Sequence, residues 1–438
     1  MSSTLRSLAL VSYVPLLTAY ACTQEGSWTC AVCAAPFLHL LFAILLHRLA
    51  PLRATLLPHI RNVTDQPFYK NERASEQQHN YVQHFHTTTQ SQETYVLITP
   101  TTRQATTCVV WISGFSRYFS HCDSDFDCPG VDFCGLDLPY YGRSYEATGG
   151  HADLNNSYNG VPPTSWWDSL LRVFGCTSKL RASFYYAVYK QATQDVQNLG
   201  YTHIYFMCNS TSGLTMQCYI ESKMFKEQSL AERSAVSGLI YTAPYWWPTT
   251  RSNVLLQAPC CFWNFVAFFF PSMMMDVDEV GATWLDDILI QTHASGRTCI
   301  KIDPVLNPTD ATPYYIEWLA MVSEGHAYLR SLSQSRKRTV AVAGEGVGRE
   351  NSAGSAVQRL QTCNAGDVSH LPRCLLLTND GKDHNVNVDV CHDIFHGLYP
   401  QNERNAHRIK GASHEIMLAE QQHATIALNL IYAFVNDN

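Results

Sequence analysis

From Tyr81 onward, short apolar runs recur between longer stretches of mixed polarity. Thr94–Ile98, Thr107–Ile112, Phe133–Leu138, His203–Met207, Gly238–Thr242, Cys374–Thr378 and His407–Ile409 are rich in β-branched and aromatic residues and predict strands. Between them, Ala182–Leu199 and Leu214–Gln228 read as helices, and His414–Val435 reads as a long terminal helix. Strands alternating with helices predict an α/β domain over residues 81–438, its mostly parallel central sheet covered by helices on both faces. No internal repeat interrupts the pattern.

The pattern breaks twice. From about residue 244 to 335 the chain turns aromatic and methionine-rich: Tyr245-Trp246-Trp247, Cys260-Cys261-Phe262-Trp263, Phe268-Phe269-Phe270 and Met273-Met274-Met275. This stretch reads as an inserted cap region. It covers a small core of its own, or it exposes apolar surface to a flexible hydrophobic ligand such as an acyl chain. Residues 343–370 then read as a polar loop before the sheet resumes. The second break is at the N-terminus. Ser7 to Gln24 carries no charge, with Arg6 before it and Ala19-Tyr20-Ala21 as a small-residue cleavage signal. Ala31 to His47 is about long enough to cross a bilayer roughly 30 Å thick. His47, Arg48 and Arg53 follow it, a flank that favours the cytoplasmic side. Residues 1–53 are therefore expected to be a signal or membrane anchor and 54–80 a polar linker, with the catalytic body on the cytoplasmic side and the secretory pathway as the alternative.

Composition narrows the partners. The chain has 438 residues, 46% hydrophobic and 15% charged, which is enough for a large core. Its formal charge of −7, with no long basic cluster, argues against nucleic acid. There are 16 cysteines, but they show no regular spacing. Cys108, Cys134, Cys208 and Cys374 lie in apolar runs, as free thiols do in a reducing compartment. Asp123, Asp125 and Asp127 lack the glycine and glutamate of a calcium loop, so no metal is expected, and nothing calls for a cofactor.

The chemistry gathers at Cys208-Asn209-Ser210-Thr211-Ser212-Gly213. An apolar run, a one-residue tip and a helix opened by small residues describe a nucleophile elbow, with Cys208 and Ser212 where glycines usually stand. A serine hydroxyl there needs a base, a group to orient that base, and donors for an oxyanion. In a fold of this kind the order runs serine, acid, histidine. Asp380, Asp383 and Asp389 compete for the acid, and His414 stands where the base should be. Val109 to Phe115 is a strand running into a turn at Gly114. The backbone amide of Phe115 there, with that of Thr211 after the serine, would form the oxyanion hole.

These segments resemble the monoacylglycerol-lipase and serine-aminopeptidase branch of the α/β-hydrolases. Ser113-Gly114-Phe115 is similar to its His-Gly-x turn, and Asp137 through Ser144 to its strand-turn. Asn209 to Leu214 is similar to its elbow, Gly238 to Pro244 to the strand before its cap, and Gly411 to Glu415 to its histidine loop. Asp383 through Val390 is similar to its acid loop, which puts Asp383 in the acid's place. The resemblance covers roughly residues 85–435. It implies an α/β-hydrolase fold and a serine hydrolase acting on a lipid-like carboxylic ester such as a monoacylglycerol or lysophospholipid. Ser210 would be the nucleophile, His414 the general base, and Asp383 the residue orienting it. An aminopeptidase would instead need acidic cap residues to hold a substrate amine, and the elbow substitutions leave room for a catalytically silent binding protein.

Overall fold

The computed structural model describes residues 81–89, 93–112, 114, 128–139, 144, 166–174, 177, 179–249, 258–269, 274–275, 314–347, 371–380, 383, 385–412, 414, 416–418 and 421–437. The expected anchor at 1–53 and linker at 54–80 lie outside these residues, as does Phe115.

Eight strands form one sheet: β1 (Tyr81–Thr87), β2 (Thr94–Pro100), β3 (Thr107–Ile112), β4 (Val131–Asp137), β5 (His203–Asn209), β6 (Val236–Thr242), β7 (Arg373–Asn379) and β8 (Ala406–Ile409). Their spatial order is β1-β2-β4-β3-β5-β6-β7-β8. β2 runs antiparallel to both β1 and β4, and every other pairing is parallel. The inner strands are buried at nearly every position because helices cover both faces, so they read as unbroken apolar runs. On one face Val109, Trp111, Phe133, Tyr205, Met207, Ile240, Leu375 and Leu377 share a core with Ala427, Ile431 and Phe434 of the last helix.

Around the sheet stand α1 (Trp166–Val173), α2 (Tyr186–Asn198), α3 (Thr211–Ile220), α4 (Cys260–Phe269), α5 (Ile316–Val347), α6 (Val388–Leu398) and α7 (Gln421–Asn436). All ten residues of α3 are buried, so its two-faced apolar character reflects a helix enclosed on every side. Two glycines let it approach its neighbours. A Cβ on Gly213 would lie 2.7 Å from the Pro244 side chain, and one on Gly325 of α5 would lie 3.0 Å from Leu214.

α1, α4 and α5 are tied to the helical turn Arg181–Tyr185 by buried charge. Arg181 donates to Glu317 at 2.9 Å and also meets Glu324 and Asn264, while Arg172 meets both Glu324 oxygens at 3.0 Å. Neither arginine is expendable here, because two buried carboxylates depend on them.

Four sequence expectations change. Tyr81–Thr87 is a strand, missed because its alternating polar residues suit an edge that pairs on one side only. The helix expected over Leu214–Gln228 begins at Thr211 and stops at Ile220. Ser222 then accepts the Phe225 amide and starts a separate turn, Lys223–Lys226. The terminal helix starts at Gln421 instead of His414, which tertiary bonds hold in a loop. α5 continues to Val347, into the stretch expected to be loop.

Candidate active site

Parallel strands bring their C-terminal ends to one edge of the sheet. Ile112 pairs with Cys208, Asn209 with Thr242, and Thr242 with Leu377. Gly114, Ser210 and Asp383 all follow strands ending on that edge, as does His414 after β8. Ligand sites in open α/β sheets lie at this edge.

Ser210 is the tip between β5 and α3. Its φ of 52° and ψ of −120° are strained for a residue with a side chain, at a cost of roughly 1–3 kcal/mol. Three bonds hold it there. Its amide donates to Thr242 at 3.1 Å, and its carbonyl accepts from Gly213 at 3.0 Å and Tyr245 at 2.8 Å. Among the described residues, Ala243 at the end of neighbouring β6 is the other non-glycine with positive φ, at 42°. Both strained residues thus stand side by side where the chain leaves the sheet.

Cys208 is fully buried in the strand core, and desolvation pushes its thiol well above the ordinary range, which makes it packing and not a nucleophile. Ser212 is also buried. Its hydroxyl lies 2.7 Å from the Ile112 carbonyl and 2.7 Å from the Asn209 carbonyl. Gly114 packs directly on the tip, since a Cβ there would come within 2.8 Å of the Ser210 Cβ. Sequence inspection read position 212 only for its small size and missed these two bonds.

Three aspartates competed for the acid, and the geometry separates them. Asp383 Oδ2 lies 2.8 Å from His414 Nδ1, while its Oδ1 accepts the Asn385 and Val386 amides at 2.8 and 3.0 Å. Asp389 is an exposed partner of Arg408 at 2.8 Å. Among the described residues, Asp380 makes no bond to His414 and its buried Oδ1 finds no hydrogen-bond partner. His414 Nε2 in turn lies 3.0 Å from Ser210 Oγ. With Nδ1–H donating to Asp383, Nε2 is left as the acceptor for the serine proton. Both His414 and Asp383 are buried, which sharpens the pairing.

Two other late histidines, His392 and His423, have different partners. His392 meets Thr378 at 2.8 Å, and burial, with Arg408 nearby, holds its pKa at about 4. His423 packs against Gly411. His384 lies outside the described residues. Thr211 opens α3, so its amide sits at a helix N-terminus, where donors lack intrahelical partners and the dipole favours negative charge. Among the described residues no cluster of His, Cys, Asp or Glu could hold a metal.

No family model matches the chain, and no curated protein matches it. Solved structures show distant similarity. A soluble variant of monoglyceride lipase from Saccharomyces cerevisiae, in complex with a substrate analog, is 11% identical with a TM-score of 0.45, covering 87% of this chain and 99% of its own. A thermostable carboxyl esterase from Bacillus coagulans in complex with glycerol is 11% identical with a TM-score of 0.46, covering 82% and 98%. A monoacylglycerol lipase from Paleococcus ferrophilus is 10% identical with a TM-score of 0.42, covering 75% and 93%.

The sheet order, the antiparallel second strand and the strained serine on a strand-to-helix turn define an α/β-hydrolase fold.

Proposed function

We propose that the chain is a serine hydrolase of carboxylic esters. The observation that carries this reading is the continuous hydrogen-bonded series Ser210–His414–Asp383, at 3.0 and 2.8 Å, with its serine on a strained elbow. Ser210 Oγ attacks the ester carbonyl carbon while His414 Nε2 takes its proton. Asp383 holds the ring in its tautomer and stabilises the imidazolium. The oxyanion accepts from the backbone amides of Thr211 and Phe115. Collapse expels the alcohol, protonated by His414, and leaves an acyl group on Ser210. A water deprotonated by His414 then attacks this ester and releases the acid.

A lipid-like ester, such as a monoacylglycerol or lysophospholipid, is the proposed substrate. Support comes from the composition of residues 244–335, where aromatic and methionine side chains suit an acyl chain. The aminopeptidase reading needs an acidic cap residue open to a substrate amine. Glu317 and Glu324 of α5 are instead engaged by Arg181 and Arg172. Membrane association on the cytoplasmic side is proposed from the uncharged stretches before residue 47. Among the described residues no helix is long and apolar enough to cross a membrane, and those stretches lie outside them.

The test is labelling with a fluorophosphonate probe, followed by a p-nitrophenyl ester series of increasing acyl length. Labelling should vanish in Ser210→Ala, and long-chain esters should be cleaved faster than the acetate. A folded wild-type protein that takes no label is a silent binder, and the reading fails.

A further inference from the structure

We infer that His326 is a positioning residue: from α5 it fixes residues 244–249, a strap bonded to both the Ser210 elbow and the loop carrying Asp383. This rests on the serine-hydrolase reading above and names a further part of that site.

The strap leaves β6 and is bonded to the segments at both ends of the triad. On the elbow side, the Tyr245 amide donates to the Ser210 carbonyl at 2.8 Å, and Trp246 Nε1 donates to the Gly213 carbonyl at 3.1 Å. On the acid side, the Asn387 amide donates to the Trp247 carbonyl at 2.9 Å, and the Thr249 amide donates to the Asn385 carbonyl at 3.0 Å. Pro248 stands opposite Val386 between those two bonds. The amides of Asn385 and Val386 are the two that hold Asp383 Oδ1. Asn385 therefore meets the strap with its carbonyl and the Asp383 carboxylate with its amide. His414 must reach Ser210 at 3.0 Å and Asp383 at 2.8 Å together, so the separation of elbow and acid loop decides whether both bonds form.

α5 grips the strap from outside these two segments. His326 Nε2 lies 2.8 Å from the Tyr245 carbonyl, so Tyr245 is held at its amide by the elbow and at its carbonyl by the helix. The buried His326 ring also packs against Tyr245 and Trp247, whose ring centroids lie 5.4 and 5.7 Å away. One turn further along α5, Arg330 Cζ stands 4.7 Å from the centre of the Trp247 ring. Burial lowers the His326 pKa to about 4, so the ring is neutral near pH 7 and carries one N–H. That proton belongs on Nε2, which faces a carbonyl. Nδ1 is buried without a hydrogen-bond partner among the described residues. An unpaired buried nitrogen makes imidazole costlier here than an apolar side chain of similar size, so packing alone does not account for it. What the histidine adds is its bond to the strap. Without that bond the Tyr245 carbonyl is released, and the spacing of Ser210 and Asp383 loses a restraint. Misalignment of reacting groups slows the chemical step more than it weakens substrate binding.

The test compares His326→Leu, which fills space without a donor, with His326→Gln, whose Nε2 replaces the ring donor. Both are made in the full-length protein. Active sites are counted by exhaustive fluorophosphonate labelling, and a p-nitrophenyl ester is the substrate. The leucine variant should lose about tenfold in kcat per labelled site and in the rate of labelling, with KM changed less than twofold. The glutamine variant should recover most of both. Should leucine fail to fold, His326→Met takes its place as the variant without a donor. Wild-type kcat in the donor-free variant, a loss confined to thermal stability, or a glutamine variant as slow as leucine overturns the positioning role. Each leaves the serine-hydrolase reading intact. A wild type that takes no label overturns both.

Discussion

The elbow and the cluster of α1, α4 and α5 are held by opposite means. Around Ser210 the restraints are backbone hydrogen bonds and small residues in close contact, contributed by the ends of β3, β5 and β6. Among α1, α4 and α5 they are charges. Arg172 and Glu324 meet across 152 positions of sequence, and the side chains of Arg181 and Glu317 are wholly buried. Backbone bonds fix the Ser210 tip without adding a titrating group of their own. Buried ion pairs hold distant segments together, but each depends on a partner that cannot be lost singly. The strained tip and the helix cluster thus rely on different kinds of force.

The largest effect should come from breaking the elbow side alone. Asp383→Asn should lower kcat by about 10⁴, since an asparagine favours the wrong histidine tautomer. Asp380→Asn and Asp389→Asn should stay within a few-fold, Asp389 being an exposed partner whose pair is worth about 1 kcal/mol or less. Steady-state ester hydrolysis measures all three, and a larger loss at Asp380 than at Asp383 removes the acid assignment.

Breaking the charge-paired cluster should do the reverse. Arg181→Met takes the Arg181 charge from buried Glu317 and leaves Glu324 to Arg172, and should reduce unfolding free energy by about 3–5 kcal/mol in urea. Activity per labelled site in the folded fraction should change little. An unshifted urea midpoint contradicts the division drawn here.

The smallest effect concerns the join between the regions. His326 of α5 is fully buried, with Nε2 2.8 Å from the carbonyl of Tyr245, whose own amide holds Ser210. Burial lowers its pKa from 6.5 to about 4. The unfolded chain therefore binds the proton first. This contribution to stability is complete above pH 6.5 and declines as pH falls toward 4, by on the order of 3 kcal/mol. His326→Gln should flatten the acid limb of the melting temperature against pH. A slope identical to wild type sinks the assignment to His326, though His392 adds a decline in the same direction.

The inner strands were legible because full burial writes itself as an apolar run, and β3, β5, β6 and β7 all lie within a few residues of the predicted spans. The edge strand β1 was not, because no position in it is fully buried and so no unbroken apolar run marks it. Helix boundaries failed where a long-range bond competes with local propensity. His414 would suit a first helical turn, yet its bonds to Asp383 and Ser210 keep it outside α7.

By itself the sequence determined the α/β alternation, the position of the elbow and the identities of Ser210 and His414 as candidates, because these depend on residue types at short spacing. For the acid, the family resemblance pointed to Asp383, and the tertiary structure separates it from Asp380 and Asp389 by its contact with His414. All three lie within ten residues of one another, and one shares its carboxylate between a histidine and two amides. The tertiary structure alone gave position 212 a hydroxyl with two partners, for a carbonyl 100 residues away leaves no trace in local sequence.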